Sequence, residues 1–164
     1  MGRLVGIARR DKKRAEMEIL DDAEISKQTG VANDFRGKPG KRQVTVISTA
    51  AWAAACEELG QDIPWTTRRA NLLVEDIELP QRTGDVIEIA GARLLVTMEV
   101  DPCSRMEEQF QGLQSALTPE WRGGVACTVL KGGPVRLGDS VSVLSADQLV
   151  VHQNSLVGPP IAIQ

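Results

Sequence analysis

The 164-residue sequence predicts a mainly β domain, a closed or partly closed barrel-like sheet carrying two or three short helices. Short runs of β-branched and other apolar residues recur along the chain and are bounded by Gly, Pro, Asn or Asp. Glycine-based turns punctuate the second half at Gly84-Asp85, Gly91, Gly132-Gly133-Pro134 and Gly138-Asp139. Helical periodicity is confined to few stretches, without the strand–helix alternation that builds βαβ layers.

The elements follow in order. Leu4 to Ala8 reads as a strand, and Met17–Leu20 and Ala23–Ile25 as extended segments interrupted by Asp21-Asp22. Gln28 to Lys41, rich in Gly, Asn, Asp and Lys, reads as a long loop. Val44, Val46 and Ile47 form the core of the next strand. Ser48 or Thr49 then caps a helix that Gly60 stops, with Trp52, Cys56 and Leu59 on one face. That spacing makes Cys56 a packing residue. Asn71–Val74 is a further apolar strand, and Val86–Ile89 with Leu94–Val96 form a hairpin in a largely antiparallel sheet. Met106 to Leu117 reads as one helix with Phe110, Leu113 and Leu117 on one side, weakened by Gly112. Val125–Leu130, Val135–Leu137 and Val141–Leu144 complete the strands, and Cys127, flanked by apolar neighbours, belongs to the core. Residues 145–164 read as an irregular tail, and the whole chain as a single domain.

Composition excludes several functional plans. Two Phe, three Trp and no Tyr leave few rings for a base-stacking platform, and one His is too few for a multi-histidine metal site. A formal charge of −3 supplies no general attraction to nucleic acid. The charge is uneven, however: residues 1–42 hold 11 Lys/Arg against 7 Asp/Glu, net +4, so the remainder carries −7. The basic run Arg9, Arg10, Lys12, Lys13, Arg14 reads as a solvated turn, with an anion or partner patch as the alternative. No apolar run approaches the roughly 20 residues that span a bilayer, and the amino terminus has no signal-peptide core, so no membrane role and a cytoplasmic location are expected. Three cysteines without C-x-x-C spacing form neither a disulfide framework nor a zinc knuckle.

Cys103 is the leading candidate for chemistry. It follows a strand and Asp101-Pro102, and precedes Ser104-Arg105 and a helix. Unpaired backbone N–H groups at such a junction favour thiolate, Arg105 adds positive charge, and Glu99 and Asp101 oppose it. The alternative is a half-buried cysteine in a turn. Arg36, Lys38, Lys41, Arg42, Arg68, Arg69 and Arg122 are candidate anion binders, because the guanidinium fork matches phosphate and carboxylate. Asn71 can donate and accept beside Arg68-Arg69, and Arg122 adjoins Gly123-Gly124. Two or three of these arginines converging on Cys103 would form a small polyanion pocket.

The order of these pieces resembles the MOSC family, the domain at the carboxyl end of molybdenum-cofactor sulfurases that also occurs as small free-standing bacterial proteins. The resemblance spans roughly residues 4–144. It is carried by Gly6-Ile7, Gly30-Val31-Ala32-Asn33-Asp34 with Arg36, Gly40 to Thr45, Arg68 to Val74, the Gly84 turn, Pro102-Cys103, Gly123-Gly124-Val125 and Gly138-Asp139. It implies a β-barrel-like fold with a pocket around Cys103. It also implies that Cys103 ligates the molybdenum of a pterin cofactor or carries sulfur as a persulfide, both suited to a soft anionic thiolate. Arg36, Arg42, Arg68 and Arg69 then contact pterin phosphate or substrate, Asn71 orients, and Asp34 and Arg122 are further binding candidates.

The family likeness implies two enzymatic roles. One is a reductase component acting on N-hydroxylated or related small molecules with an electron-transfer partner; the other is a sulfur carrier served by a sulfur-donor protein. A non-catalytic binding or adaptor domain is the third reading. Exposed strand edges leave room for a homodimer. Where relatives commonly read Gly-Asp-Arg-His, this chain has Asn33-Asp34-Phe35-Arg36, so the histidine is missing. The chain is too small for the aminotransferase-like domain of the sulfurases, and a pyridoxal phosphate site is not expected.

Overall fold

The computed structural model describes residues 1–145; the expected tail beyond Ser145 lies outside them. Strands are β1 (Gly2–Arg9), β2 (Glu18–Leu20), β3 (Asp22–Ser26), β4 (Gly30–Val31), β5 (Val44–Ser48), β6 (Leu72–Glu75), β7 (Val86–Ile89), β8 (Ala92–Glu99), β9 (Val125–Lys131), β10 (Gly133–Arg136) and β11 (Ser140–Leu144). Helices are α1 (Thr49–Leu59), α2 (Ser104–Gln109) and α3 (Leu113–Leu117).

Seven strands run in the order β11-β7-β8-β9-β5-β6-β1, and β1 pairs back to β11 at Gly2 opposite Val141. The sheet therefore closes into a barrel, with β2 added outside the ring on β1 and β10-β3-β4 forming a separate small sheet. The barrel is the expected fold class. Among the described residues every pairing is antiparallel except β5 with β6, a parallel pair that needs a crossover. That crossover carries α1 and a 3₁₀ turn over Trp65–Arg68.

Strand alternation sorts the side chains into two cores. Leu72 and Val74 of β6 enter the barrel with Val44 and Val46 of β5 and Leu94 and Val96 of β8. Leu73 and Ile47, on the opposite faces, pack under the helices with Trp52, Leu113 and Leu117. Cys127 is fully buried in the barrel core, as expected. α1 begins and ends as expected: the Ser48 hydroxyl accepts from the Ala51 N–H, and the N–H of Gly60 donates to the carbonyl of Glu57. Ala55 and Trp52 are its buried residues, while Cys56 is half-buried at the edge of the helix layer.

Two expectations need correction. The single helix over Met106–Leu117 is two helices, α2 and α3, separated at Phe110–Gly112. Phe110, in extended conformation, ends α2, and Gly112 at φ = 89° turns the chain into α3. The Gln28–Lys41 loop contains the short strand β4, which pairs with β3 through Val31 opposite Ile25.

Candidate functional site

At one side of the barrel, the ends of β1 and β8, the start of β5, the 3₁₀ exit and the start of α2 enclose a cavity of about 290 Å³. Each part is held by identifiable bonds. The loop before β5 is tied down by Gln43, which is fully buried. Its Nε2 donates to the carbonyls of Lys27 (2.7 Å) and Gly37 (3.0 Å), and its Oε1 accepts from the Val129 N–H (2.9 Å). That loop carries Asp34. Asp34 Oδ1 accepts from the Arg10 N–H and Oδ2 from the Arg36 N–H, while the Phe35 N–H donates to the Arg10 carbonyl. The end of β1 and the loop are thereby fixed as one wall.

Arg68 and Arg69 have opposite fates. Arg68 is 7% exposed and donates from Nε to the Gly123 carbonyl (2.9 Å), from Nη2 to the Val100 carbonyl (3.0 Å), and from Nη1 to Met106 Sδ (3.7 Å). Burial pushes its guanidinium down to about 10, with Cys103 acting in the opposite direction and Arg42 in the same, so it stays charged at neutral pH. A Cβ on Gly123 would lie 2.4 Å from the Val100 oxygen, so the close approach that Arg68 bridges requires glycine there. Arg69 follows with φ = 66°, which reverses the chain, and its Nη2 donates to the Ala15 carbonyl. Burial, and then Arg105, hold Arg69 below the usual arginine value.

Asn71 is 5% exposed and bridges strands: Oδ1 accepts from the Thr45 N–H (3.0 Å), and Nδ2 donates to the Ala8 carbonyl (3.1 Å). It orients the cavity wall. Cys103 caps α2 in extended conformation, is exposed, and lines the cavity with Arg105 and Met106.

Of the sequence candidates, Asp34, Arg36, Arg42, Arg68, Arg69, Asn71 and Cys103 all line this one cavity. Arg122 does not. It pairs with Glu58 (3.1 Å) and donates to the Ala116 carbonyl (2.9 Å), so it braces α3 against α1, outside the cavity lining, whereas the sequence placed it among the binding candidates. Lys38 and Lys41 also lie outside the cavity lining. The basic run is more than a solvated turn, because Arg10, Lys13 and Arg14 line the cavity. The sequence carried a signal for them, a cluster of cations at the end of a strand, but nothing to say which way the turn folds.

Among the described residues, no cluster of three or more His, Cys, Asp or Glu side chains could hold a metal ion. A metal at this cavity would rest on Cys103 and on ligands from outside the protein. Likewise, no helix among the described residues is long and apolar enough to cross a membrane.

This barrel, with one exposed thiol in a cation-lined cavity, matches a known architecture. The family model for the MOSC domain matches residues 27–142, and the chain belongs to that family, which is associated with the molybdenum cofactor. The structure of the YuaD protein from Bacillus subtilis superposes with a TM-score of 0.75 at 22% identity, covering 87% of this chain and 94% of that one. YiiM from Geobacillus stearothermophilus gives 0.70 at 15%, over 91% and 82%, and YiiM from Escherichia coli 0.65 at 14%, over 87% and 70%. At these identities the likeness establishes the fold. No curated protein sequence matches the chain.

Proposed function

We propose that this protein binds the molybdenum–pterin cofactor and acts as a reductase component on N-hydroxylated or related small molecules, with Cys103 as the molybdenum ligand. The observation that carries this reading is the placement of the exposed Cys103 thiol in the cavity lined by Arg36, Arg42, Arg69 and Arg105. Its two other cysteines lie elsewhere: Cys127 is sealed in the barrel and Cys56 sits on α1.

The donor set fits the group. A thiolate is a soft, anionic ligand suited to a thiophilic metal, and guanidinium forks suit the pterin phosphate. The Nε of Arg10 is buried without a hydrogen-bond partner, as expected of a donor meant for an acceptor from outside the chain. When bound, the cofactor would supply the electron-transfer chemistry. The chain itself would hold the phosphate through Arg36, Arg42 and Arg69, keep Arg105 beside the thiolate, and fix the walls through Arg68, Asn71 and Asp34. An electron-transfer protein is the partner this reading requires.

Protein purified from a host that makes the cofactor should contain close to stoichiometric molybdenum, and Cys103→Ser should lose most of it. Full metal content and turnover in Cys103→Ser would overturn the assignment. The exposure of Cys103 favours a second reading, a sulfur carrier, because a donor protein could reach Sγ directly. There the Cys103 thiolate takes the outer sulfur of a donor persulfide and the donor thiolate leaves. Incubation with a persulfide donor should then add about 32 Da at Cys103, and an unmodified thiol would count against it.

A further inference from the structure

The cavity holds more positive charge than one phosphate can balance. Three cations, Arg10, Lys13 and Arg14, come from the segment joining β1 to β2; Arg36, Arg42, Arg69 and Arg105 come from the other walls, and Arg68 forms the floor. Among the described residues that line the cavity, these eight face one carboxylate, Asp34, and both of its oxygens already accept backbone N–H groups. A phosphate monoester brings roughly −1.5 to −2, and a Cys103 thiolate one more, so most of the excess would remain uncompensated.

The β1–β2 segment is built to face the cavity rather than drift in solvent. Arg69 holds the Ala15 carbonyl, and Asp34 and Phe35 bind the Arg10 backbone on both its N–H and its carbonyl. The Arg10 guanidinium lies 5.9 Å from the centre of the Phe35 ring, which backs it. Its buried Nε has no acceptor, and a buried unpaired donor is tolerated where a ligand supplies the missing atom. Burial, then Arg69, and more weakly Arg36 and Arg105, hold this guanidinium below its ordinary value, with Asp34 acting against them. Arg10 is therefore both desolvated and crowded by like charge.

We infer that the cavity takes a ligand carrying two or more phosphate-class groups, with the second seated on the wall formed by Arg10, Lys13 and Arg14. This deepens the reading of the cavity as a ligand site, but it does not depend on what Cys103 does. Phe35 becomes a specificity element by backing the arginine that reads the second group.

Inorganic pyrophosphate and inorganic phosphate separate a one-group from a two-group site. Titrated by calorimetry into cofactor-free protein at fixed ionic strength, pyrophosphate should bind at least about tenfold tighter than phosphate, since charge and donor matching both double. Arg10→Gln should reduce that ratio to within about threefold. Lys13→Gln with Arg14→Gln, exposed turn positions whose loss spares the fold, should do the same. Lys131→Gln removes one charge outside the cavity and should leave the ratio unchanged. Equal affinity of the parent protein for the two anions would overturn the inference, as would an equal fall of the ratio in Lys131→Gln. The titration contains no molybdenum and no sulfur donor, so a negative metal test at Cys103 leaves it intact, and its own failure leaves the Cys103 test intact.

Discussion

The guanidinium of Arg68 joins the Gly123 and Val100 carbonyls beside the backbone hydrogen bond from the Val100 N–H to the Gly124 carbonyl (3.0 Å), and so helps hold the end of β8 against the start of β9 at the cavity floor. Replacing it with methionine keeps much of the apolar volume but leaves two buried carbonyls without donors. At roughly 1–3 kcal/mol for each unsatisfied group, Arg68→Met should cost about 3 kcal/mol, read from the urea midpoint at unchanged slope. The adjacent Arg69 spends one amino group on Ala15 and keeps the rest for the cavity. Nothing in the dipeptide distinguishes the two arginines; the left-handed turn at Arg69 does. The same scale explains the altered early loop. Asn33, at the position where the family resemblance implies glycine, adopts φ = 67°, a conformation asparagine tolerates better than most residues. Arg36 stands where the family resemblance implies histidine, and Phe35 backs Arg10.

At the scale of elements, the helical segment that follows Cys103 is broken into α2 and α3. α2 ends where Phe110 becomes extended, Gly112 turns the chain into α3, and Glu107 reaches from α2 to accept the N–H groups of Gly112 (2.8 Å) and Gln114 (3.3 Å) at the start of α3. A sequence window sees continuous periodicity through Phe110, Leu113 and Leu117; the two helices share one packing layer, so the apolar pattern survives the break. Gly112→Ala forces a side chain into the left-handed region and brings its Cβ within 2.8 Å of Leu59 Cδ2. The methyl end of Leu59 can yield, so the backbone strain dominates. The expected loss is about 1–2 kcal/mol in denaturant unfolding.

For the whole molecule, the barrel brings residues far apart in sequence into one small space, and its charge balance follows from that. Glu99 ends β8 close to Asp101, and burial, then the charge and hydrogen bond of Asp101, hold its carboxyl above the usual range. An acid raised in the folded state binds its proton more tightly there than in the unfolded chain. Stability therefore falls as pH rises from the ordinary carboxylate value through the raised one, and stays lower above it. Glu99→Gln should raise the melting temperature at pH 7 by a small amount, of order 1–2 °C because solvent screens so exposed a pair, and should flatten the profile in that acid window. A melting point that does not move at pH 7 would show that the two carboxylates do not burden the fold.

What the sequence determined by itself was local: the strands other than β4 and their order along the chain, the capped and terminated α1, the burial of Cys127, and a motif order specific enough to single out Cys103 and the Arg68–Asn71 segment. These are legible because periodicity, turn residues and caps act over a few positions. Only the tertiary structure decided which cations share a cavity, because closing β1 onto β11 and crossing from β5 to β6 set distances that no spacing encodes. That closure sent Arg122 to Glu58, drew Arg10, Lys13 and Arg14 into the cavity wall, and placed Arg68 beneath the site. The physical reason is that a charged side chain declares its chemistry in the sequence, whereas its partner is whatever charge or carbonyl the packed barrel places within reach.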